Sequence, residues 1–289
     1  MSWREVVVDN PSKISVSGNY LLIRGNELAK IHLSEISLLL ISNNCVNITV
    51  VAMLELVKNK IKIIFCDEKH NPCGEIVGYY GCHNCAKKVL QQISWDKEFS
   101  KILHTKIIYQ KISNQANLLK KLKFDDRANQ LYDFAEDMQI EDLTNREGHS
   151  AKVYFNTLFG MEFTRDKHND INSALNYGYS ILLSVINREV VANGCITQLG
   201  INHCSEYNQF NFSCDLIEPF RIIVDEFVFV NQNKKFDKNY KFELVDLLNK
   251  EVRLDINTTL LNAIKRSVKS IITCLNSKDI SLMLLYEHK

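Results

Sequence analysis

The spacing of apolar residues changes near residue 80, and this change most limits what the chain can fold into. Up to Cys66, apolar residues stand in short, partly alternating runs rich in Val, Ile and Leu, separated by Asn, Gly and Ser turn signals. One amphipathic segment among them, ITVVAMLELVKNK, predicts a helix capped by Asn47. After Gly81 apolar residues recur at intervals of three and four, which is typical of helices. We therefore predict an α+β protein, with a small N-terminal β-rich domain followed by a larger all-α helical domain.

Turn-forming residues predict where one domain ends and the other begins. In the run DEKHNPCGE, Pro72 and Gly74 are expected to break regular structure. The predicted organisation is therefore an N-terminal β-rich domain at 1–72, a linker at 73–82 and an α-helical domain at 83–289.

The composition is that of a compact protein, because 46% of the 289 residues are hydrophobic and 24% are charged. The first residues, MSWREVVVDN, carry no apolar signal core, and no stretch reaches the length of a membrane span. Nine cysteines, an odd number without an export signal, are expected to be reduced thiols. These features predict a cytoplasmic protein that does not enter a membrane.

Four cysteines lie close together and raise the question of a zinc site. Cys82 and Cys85 have the spacing of a zinc-binding pair, with His83 between them. Six residues lie between Cys66 and Cys73, more than the two to four that usually separate a pair of zinc ligands. Cys66 also ends a strand that we expect to be buried. Buried or incidental thiols are therefore the favoured interpretation, and a zinc site remains the alternative.

The segment INHCSEYNQFNFSCDLIEPFR has the composition of a metal site. His203 offers an imidazole nitrogen, while Asp215 and Glu218 share one helix face if Ser213 caps a helix there. Oxygen ligands with one imidazole favour magnesium or manganese, whereas zinc more often takes several His or Cys ligands. A further carboxylate is needed, and Glu147 is the candidate.

Structural roles explain the same residues. Thr144 followed by Glu147 fits a capping box at the start of a helix. His203 fits a hydrogen-bonded structural histidine, and Asp215 and Glu218 fit acids in the first turn of a helix. Spacing alone leaves both interpretations open.

Positive charge is concentrated between residues 87 and 123, although the net charge of the chain is only +1. Nine lysines in this stretch, beginning with Lys87 and Lys88, stand against two acids, Asp96 and Glu98. The stretch predicts either a solvated helix face or a phosphate-binding surface.

Four separated blocks of the sequence resemble one family, in this order: NREGHSAKVYFNTLFG, NDINSALNYGYSILLS, GCITQLGINH and DLIEPFR. They are similar to the CRISPR-associated spacer-acquisition endonuclease and integrase, the larger protein of the universal acquisition pair, and most of all to its type II branch. The similarity extends over almost the whole chain. Agreement of four blocks is more specific than agreement of any one of them.

The resemblance implies a metal-dependent DNA endonuclease and integrase of CRISPR adaptation, which inserts short foreign DNA into the CRISPR array by attack of DNA 3′-hydroxyls on phosphodiesters. Carried over by position, the ligands of magnesium or manganese are Glu147, His203 and Glu218, and Asp215 is a further acidic residue of the catalytic site. Glu218 stands where many members carry Asp, and Asn202 stands where we expect an apolar residue.

The resemblance also implies partners. The N-terminal domain is expected to form a homodimer, and two dimers are expected to assemble around a small dimeric acquisition protein into a heterohexamer. Further type II acquisition proteins can join this assembly. Double-stranded DNA, as spacer precursor and as CRISPR repeat and leader, is the expected substrate.

Contacts to phosphate should dominate DNA binding, because an integrase has to accept incoming DNA of any sequence. The candidates are Arg146, Lys152, Arg165, Lys87 and Lys88, although an ion pair at the surface explains Arg165 equally well. Two other functions are compatible with the same ligands, a metal-dependent phosphoesterase for small substrates and a non-catalytic DNA-binding scaffold.

Overall fold

The chain folds as two compact units, residues 1–81 and 82–289. The computed structural model describes residues 4–68, 70–76, 78 and 84–289. Strands dominate the first unit and helices the second, as the change in apolar spacing predicts. The α+β class, with a β-rich N-terminal region before a mostly helical remainder, is confirmed.

The described part of the N-terminal unit contains two four-stranded sheets and one α-helix. The elements are β1 (Arg4–Val8), β2 (Lys13–Ser17), β3 (Tyr20–Arg24), β4 (Leu28–His32), β5 (Ile36–Ile41), β6 (Asn47–Ile48), α1 (Val50–Lys58), β7 (Lys62–Cys66) and β8 (Pro72–Ile76). One sheet has the order β1-β5-β7-β8, in which β8 is antiparallel to β7 and the other pairs are parallel. The other sheet has the order β4-β3-β2-β6, with β6 parallel to β2 and the other pairs antiparallel.

The core of this unit lies around β5, whose six residues are all buried between β1 and β7. Five of its six residues are apolar, which is typical of an inner strand of a parallel sheet. Helix α1 adds Ala52 and Leu56 to the core, and the hydroxyl of Thr49 caps it by accepting the N–H of Ala52. The prediction that Asn47 caps this helix is wrong, because Asn47 lies in β6 and pairs with Lys13 of β2.

The prediction that regular structure ends at Pro72 is also wrong. Pro72–Ile76 forms the edge strand β8 beside β7. Proline is tolerated as the first residue of an edge strand, because its missing N–H is not needed there. Most of the remaining predicted linker falls on residues 77 and 79–82, which lie outside the described part of the chain.

Only part of the cysteine-rich segment that raised the zinc alternative lies among the described residues. Cys66 is buried at the end of β7 and Cys73 is exposed on β8. Cys82 and His83 lie outside the described residues, so the zinc alternative stays a prediction.

The helical unit is built on two long helices with shorter ones around them. Its elements are α2 (Cys85–Ile93), α3 (Lys97–Lys121), α4 (Asp125–Glu136), α5 (Arg146–Phe159), α6 (Asp170–Ala192), α7 (Asn211–Ile217), α8 (Arg221–Val230), α9 (Lys238–Asp246), β9 (Glu251–Arg253), β10 (Asn257–Thr259) and α10 (Leu260–Ser277). The hairpin of β9 and β10 departs from an all-α domain, since strands of three residues are too short to show a period in the sequence. No helix among the described residues is long and apolar enough to cross a membrane.

Helix α3 organises the region where the candidate residues meet, because it contacts α4, α5, α7 and α8. Its residue Asn114 is buried and donates to the carbonyl oxygens of Pro219, at 3.0 Å, and Tyr286, at 2.8 Å. The side-chain oxygen of Asn114 accepts the backbone N–H of His288. One side chain of α3 therefore fixes both the turn between α7 and α8 and the segment after α10.

Candidate active site

The loop between α6 and α7 carries His203, and α2 fixes the course of this loop. Gln92 is buried and donates from Nε2 to the carbonyl oxygens of Ile196 and Leu199, each at 2.9 Å. Its Oε1 accepts the N–H of Ile196 at 2.8 Å. All three bonds end on backbone groups, so Gln92 fixes the path of the main chain just before His203.

Gly200 allows a close approach of backbone to backbone inside this loop. A Cβ atom at this position would lie 2.3 Å from the carbonyl oxygen of His203 and 2.8 Å from Oδ2 of Asp215. Both distances are too short for any other residue without a shift of the loop. The glycine in GINH is therefore required by the packing of the loop on Asp215.

Asp215 is fully buried and binds this loop through both carboxylate oxygens. Its Oδ2 accepts the N–H groups of Ile201, at 2.7 Å, and Asn202, at 3.3 Å. Its Oδ1 accepts the N–H of His203 at 3.1 Å and lies 2.6 Å from Nδ1 of the same residue. The hydrogen bond to Asp215, more than any other interaction, raises the pKa of His203, against the opposing effect of burial.

The hydrogen bonds of Asp215 determine which nitrogen of His203 is free. A carboxylate beside Nδ1 holds the proton on that nitrogen and leaves Nε2 available, an arrangement found behind many metal-binding histidines. Ser213 does not cap a helix as predicted, because α7 begins at Asn211 and Ser213 is buried inside it. Asp215 is positioned from within α7, close below the loop.

His104 of α3 lies on the other side of Asp215. Its Nε2 is buried, has no hydrogen-bond partner among the described residues and lies 3.6 Å from Oδ1 of Asp215. Burial lowers the pKa of His104. Among the described residues, one group of three could offer ligand atoms to the same metal ion. It consists of His104, His203 and Asp215, whose ligand atoms all lie within 4.8 Å of one another. Asp215 accepts four N–H groups, three from the backbone and one from the ring of His203, and thereby orients that ring.

Glu147 and Glu218 meet at a different point, on the ammonium group of Lys111. Nζ of Lys111 lies 2.6 Å from Oε1 of Glu147 and 2.6 Å from Oε2 of Glu218. The other oxygen of Glu218, Oε1, accepts a hydrogen bond from Nε of Arg221 at 2.9 Å. Burial opposes the charge on Glu218, but Arg221 and Lys111 lower its pKa to about 2. Glu218 is therefore a charged carboxylate held between two cations.

The local structure leaves the side chain of Glu147 free for this contact. The carboxylate of Asp142 caps α5 by accepting the N–H groups of Arg146, at 2.7 Å, and Glu147, at 2.8 Å. The capping role that Thr144 and Glu147 suggest together is thus taken by Asp142. Glu218 lies just after α7, at the start of a single 3-10 turn that contains Pro219.

The predicted residues therefore lie in two clusters that act on one another electrostatically. One contains His203 with Asp215, and the other contains Glu147 and Glu218. The negative charges of Glu218 and Glu147 contribute to the raised pKa of His203. Sequence spacing missed His104 and Lys111, which lie two turns apart on one face of α3.

The donor types suit a divalent metal ion, but Glu147, His203 and Glu218 do not bring three ligand atoms within 4.8 Å of one another. Two carboxylates converge on one cationic group, and His203 offers a nitrogen whose ring is already oriented. Hard oxygen ligands with one imidazole suit magnesium or manganese. The position of the Lys111 ammonium shows that a positive charge is stabilised where the carboxylates meet.

A cavity of about 160 Å³ lies beside Lys111 and Glu218. Arg165, Tyr179, Arg221 and Asp225 are among its lining residues. Tyr154 and Tyr179 donate hydrogen bonds to the carboxylate of Asp225, whose burial raises its pKa to about 6. Arg221 stands in the block DLIEPFR, three residues after Glu218, and this spacing is a sequence signal for their ion pair that could have been used.

The candidate DNA-binding residues differ in their surroundings. Arg165 donates to the side-chain oxygens of Asn172 and Asn176, both at 2.6 Å, and forms no ion pair among the described residues. Arg146 lies 3.3 Å from Asp137 and over the ring of Phe134. Lys87, Lys88 and Lys152 are exposed or half-buried on α2 and α5. The positive charge of Arg165 is therefore less neutralised than that of Arg146.

Comparison with known proteins identifies similar sequences. A family model described as CRISPR associated protein Cas1 matches residues 6–260. A relative from Neisseria meningitidis serogroup C (strain 8013), named CRISPR-associated endonuclease Cas1, is 34% identical over 226 residues, which are 78% of this chain and 74% of the relative.

Two solved structures share the fold. A casposase bound to integration product has a TM-score of 0.79 and 20% sequence identity, over 97% of this chain and 93% of that chain. A Cas6-RT-Cas1–Cas2 complex has a TM-score of 0.77 and 18% identity, over 99% of this chain. This chain covers 36% of that much longer chain. At such identities the likeness concerns the fold alone.

Proposed function

This chain belongs to the Cas1 family of CRISPR-associated proteins, and from this we propose that it is a metal-dependent DNA endonuclease and integrase of CRISPR adaptation. It joins short foreign DNA to the CRISPR array by attack of DNA 3′-hydroxyls on phosphodiesters. The observation that carries the proposal is the convergence of Glu147 and Glu218 on one cationic group, with negative charges that also act on the oriented imidazole of His203. The endonuclease name of the Neisseria relative and the fold of the casposase also support it.

Glu147, Glu218 and His203 are the proposed ligands of magnesium or manganese. When bound, the ion neutralises charge on the phosphoryl oxygens and on the departing oxygen. Asp215 acts behind His203, because its hydrogen bond to Nδ1 leaves Nε2 for the ion. Arg221 acts behind Glu218 by holding Oε1 and keeping the carboxylate charged.

DNA is proposed to bind through its phosphates, so that incoming DNA of any sequence is accepted. Arg165 is the candidate best supported by its surroundings, since its guanidinium is held by two neutral amides and lines the cavity beside Glu218. Lys152, Lys87 and Lys88 add exposed or half-buried positive charge, and Arg146 keeps one acidic neighbour.

We also propose that the chain acts in the cytoplasm as a homodimer, two copies of which assemble with a small dimeric partner. The solved Cas6-RT-Cas1–Cas2 complex supports a Cas2-type partner. Val50, Val51 and Leu54 form an exposed apolar face on α1 in the N-terminal unit, and such a face suits a contact between protomers.

The test is transfer of a labelled short DNA duplex into a plasmid that carries a CRISPR repeat, with the small partner protein present. Wild type, His203→Ala and the exposed control His168→Ala are compared in manganese, magnesium and chelator. We expect metal-dependent joining by wild type and His168→Ala, and none by His203→Ala. Equal joining in chelator, or by His203→Ala, would refute the proposal.

Two other results would support other functions. In a separate assay on small phosphate esters without the partner, release of phosphate by a protein that does not act on DNA would identify a phosphoesterase. Tight binding of DNA without cutting or joining would identify a scaffold.

A further inference from the structure

Lys111 occupies the point where the two proposed carboxylate ligands meet. Its side chain is only 15% exposed, and its ammonium group is 2.6 Å from an oxygen of each glutamate. A divalent ion bound by the same oxygens needs to lie within about 2.0–2.6 Å of them. The ammonium and the ion therefore compete for one position.

The two cations cannot be held there together, because charges of the same sign a few ångströms apart in a partly buried site repel strongly. We propose that Lys111 is a resident counter-cation of the metal-free protein, which holds Glu147 and Glu218 together until a divalent ion displaces its ammonium group. This inference rests on the proposed metal site and concerns the state of that site before metal binds.

The burial of Glu218 explains why the metal-free site needs a counter-cation. Its side chain is 5% exposed, and a buried carboxylate without paired positive charge is strongly unfavourable. Arg221 binds one oxygen of Glu218, and Lys111 lies at the other. Glu147 is more exposed, at 36%, and among the described residues Lys111 is its ion-pair partner. Loss of Lys111 therefore leaves the two carboxylates facing each other with less positive charge between them.

The neighbouring cavity provides space for the displaced side chain. Lys111 lines this cavity, as do Gln115 and Asp225. A lysine has a flexible four-carbon stem, so its ammonium group can move by rotation about side-chain bonds while α3 stays in place.

Lys101 offers a matched control on the same helix. Its ammonium also bridges two carboxylates, those of Glu98 and Glu141, each at 3.1 Å. All three groups are partly or largely exposed and belong to neither cluster of the candidate site. Removal of this charge changes the net charge of the protein equally, without freeing the proposed ligands.

The experiment measures manganese affinity of the full chain without DNA, by electron paramagnetic resonance of free Mn²⁺ at fixed pH and ionic strength. Lys111→Met is expected to lower the Kd for Mn²⁺ by about tenfold or more, because the competing charge is gone. Lys101→Met is expected to leave the Kd unchanged. Lys111→Arg keeps the positive charge and is expected to show no such gain.

Melting temperatures supply a second measurement. In chelator, Lys111→Met should melt below wild type, and saturating Mn²⁺ should remove most of this difference. If Lys111→Met is too unstable in chelator, Lys111→Gln provides a polar replacement for both measurements.

The outcomes separate this inference from the proposed function. Weaker or unchanged Mn²⁺ binding by Lys111→Met, while wild type binds the ion, overturns the displacement of Lys111 and leaves the metal site standing. Absence of Mn²⁺ binding by wild type and by both Lys111→Met and Lys111→Gln overturns the metal site itself.

Discussion

Asp215 and His203 are joined by a hydrogen bond of 2.6 Å between Oδ1 and Nδ1, and the same carboxylate accepts three backbone N–H groups of the loop that carries the histidine. One buried side chain thus determines both the path of the loop and the orientation of the imidazole. A substitution at Asp215 is expected to act on metal binding through His203.

Asp215→Asn should weaken metal binding by roughly 10- to 100-fold, as is typical for loss of a carboxylate behind a metal-binding histidine. An amide offers one acceptor oxygen, so some of the four N–H groups lose their partner. Isothermal titration with Mn²⁺ measures the effect, and Asp246→Asn, an exposed position, is the control. An unchanged affinity would show that Asp215 does not orient the ligand.

Glu218→Ala should destabilise the protein much more than Glu147→Ala. Removal of Glu218 leaves Lys111 and Arg221 without their shared buried partner, which typically costs about 3–5 kcal/mol. Glu147 is partly exposed, and Lys111 keeps Glu218 when it is removed, so a loss of about 1 kcal/mol or less is expected. Urea unfolding in chelator measures both, and equal losses would contradict the pairing described here. Glu218→Gln is therefore the better variant for activity assays.

Gln92→Ala should loosen the loop before His203 without touching the candidate ligands. It removes three hydrogen bonds to backbone groups of Ile196 and Leu199, and leaves buried groups unpaired at about 1–3 kcal/mol each. Hydrogen exchange should become faster in residues 196–203. Its exposed neighbour provides the control, and Gln91→Ala should exchange like wild type. Unchanged protection in Gln92→Ala would mean that the loop is held by other contacts.

Asp225→Asn should change how stability depends on pH. The pKa of Asp225 is raised to about 6 from an ordinary value of 3.8, so the folded protein binds this proton more tightly than the unfolded chain does. The associated stability is present below about pH 4 and is lost as pH rises to about 6, with a size of about 3 kcal/mol. The free energy of unfolding of wild type minus that of the variant should therefore fall across this window. A difference that stays constant from pH 4 to pH 7 would show that Asp225 does not titrate there.

Leu54→Glu should weaken the proposed homodimer and leave the protomer folded. Leu54 is 54% exposed on α1, so a charge there meets water in the monomer and an apolar surface in the proposed dimer. Light scattering after size exclusion, over a range of concentrations, measures the dimer. Leu143→Glu, at a residue 77% exposed in the helical unit, is the control. A dimer of unchanged affinity in Leu54→Glu would place the interface elsewhere.

The sequence predicts the fold class well because the long helices repeat their apolar pattern many times. Helices α3 and α6 have 25 and 23 residues, so the spacing of three and four is unmistakable. Short elements do not repeat an apolar pattern often enough to be recognised in the sequence. The hairpin of β9 and β10 was not predicted, because its strands have only three residues each. The strand that begins at Pro72 was not predicted either, because proline usually breaks a strand and the sequence does not show that this one lies at the edge of a sheet.

The candidate site is predictable only where its residues carry local signals. His203, Asp215 and Glu218 stand within one short segment, and Glu147 stands near a helix start. Lys111 pairs with a residue 36 positions away, and Gln92 binds a loop 104 positions away. Contacts of this kind depend on how helices pack, and no periodicity of a single segment encodes them.

Asn114 has a consequence for the order of folding. Its side chain joins α3 to Pro219, 105 positions away, and to Tyr286, 172 positions away. Contacts between such distant positions close large loops and form late in folding. The turn that begins with Glu218 should therefore reach its final geometry only when the segment around Tyr286 has docked, so partly folded chains should lack a working site.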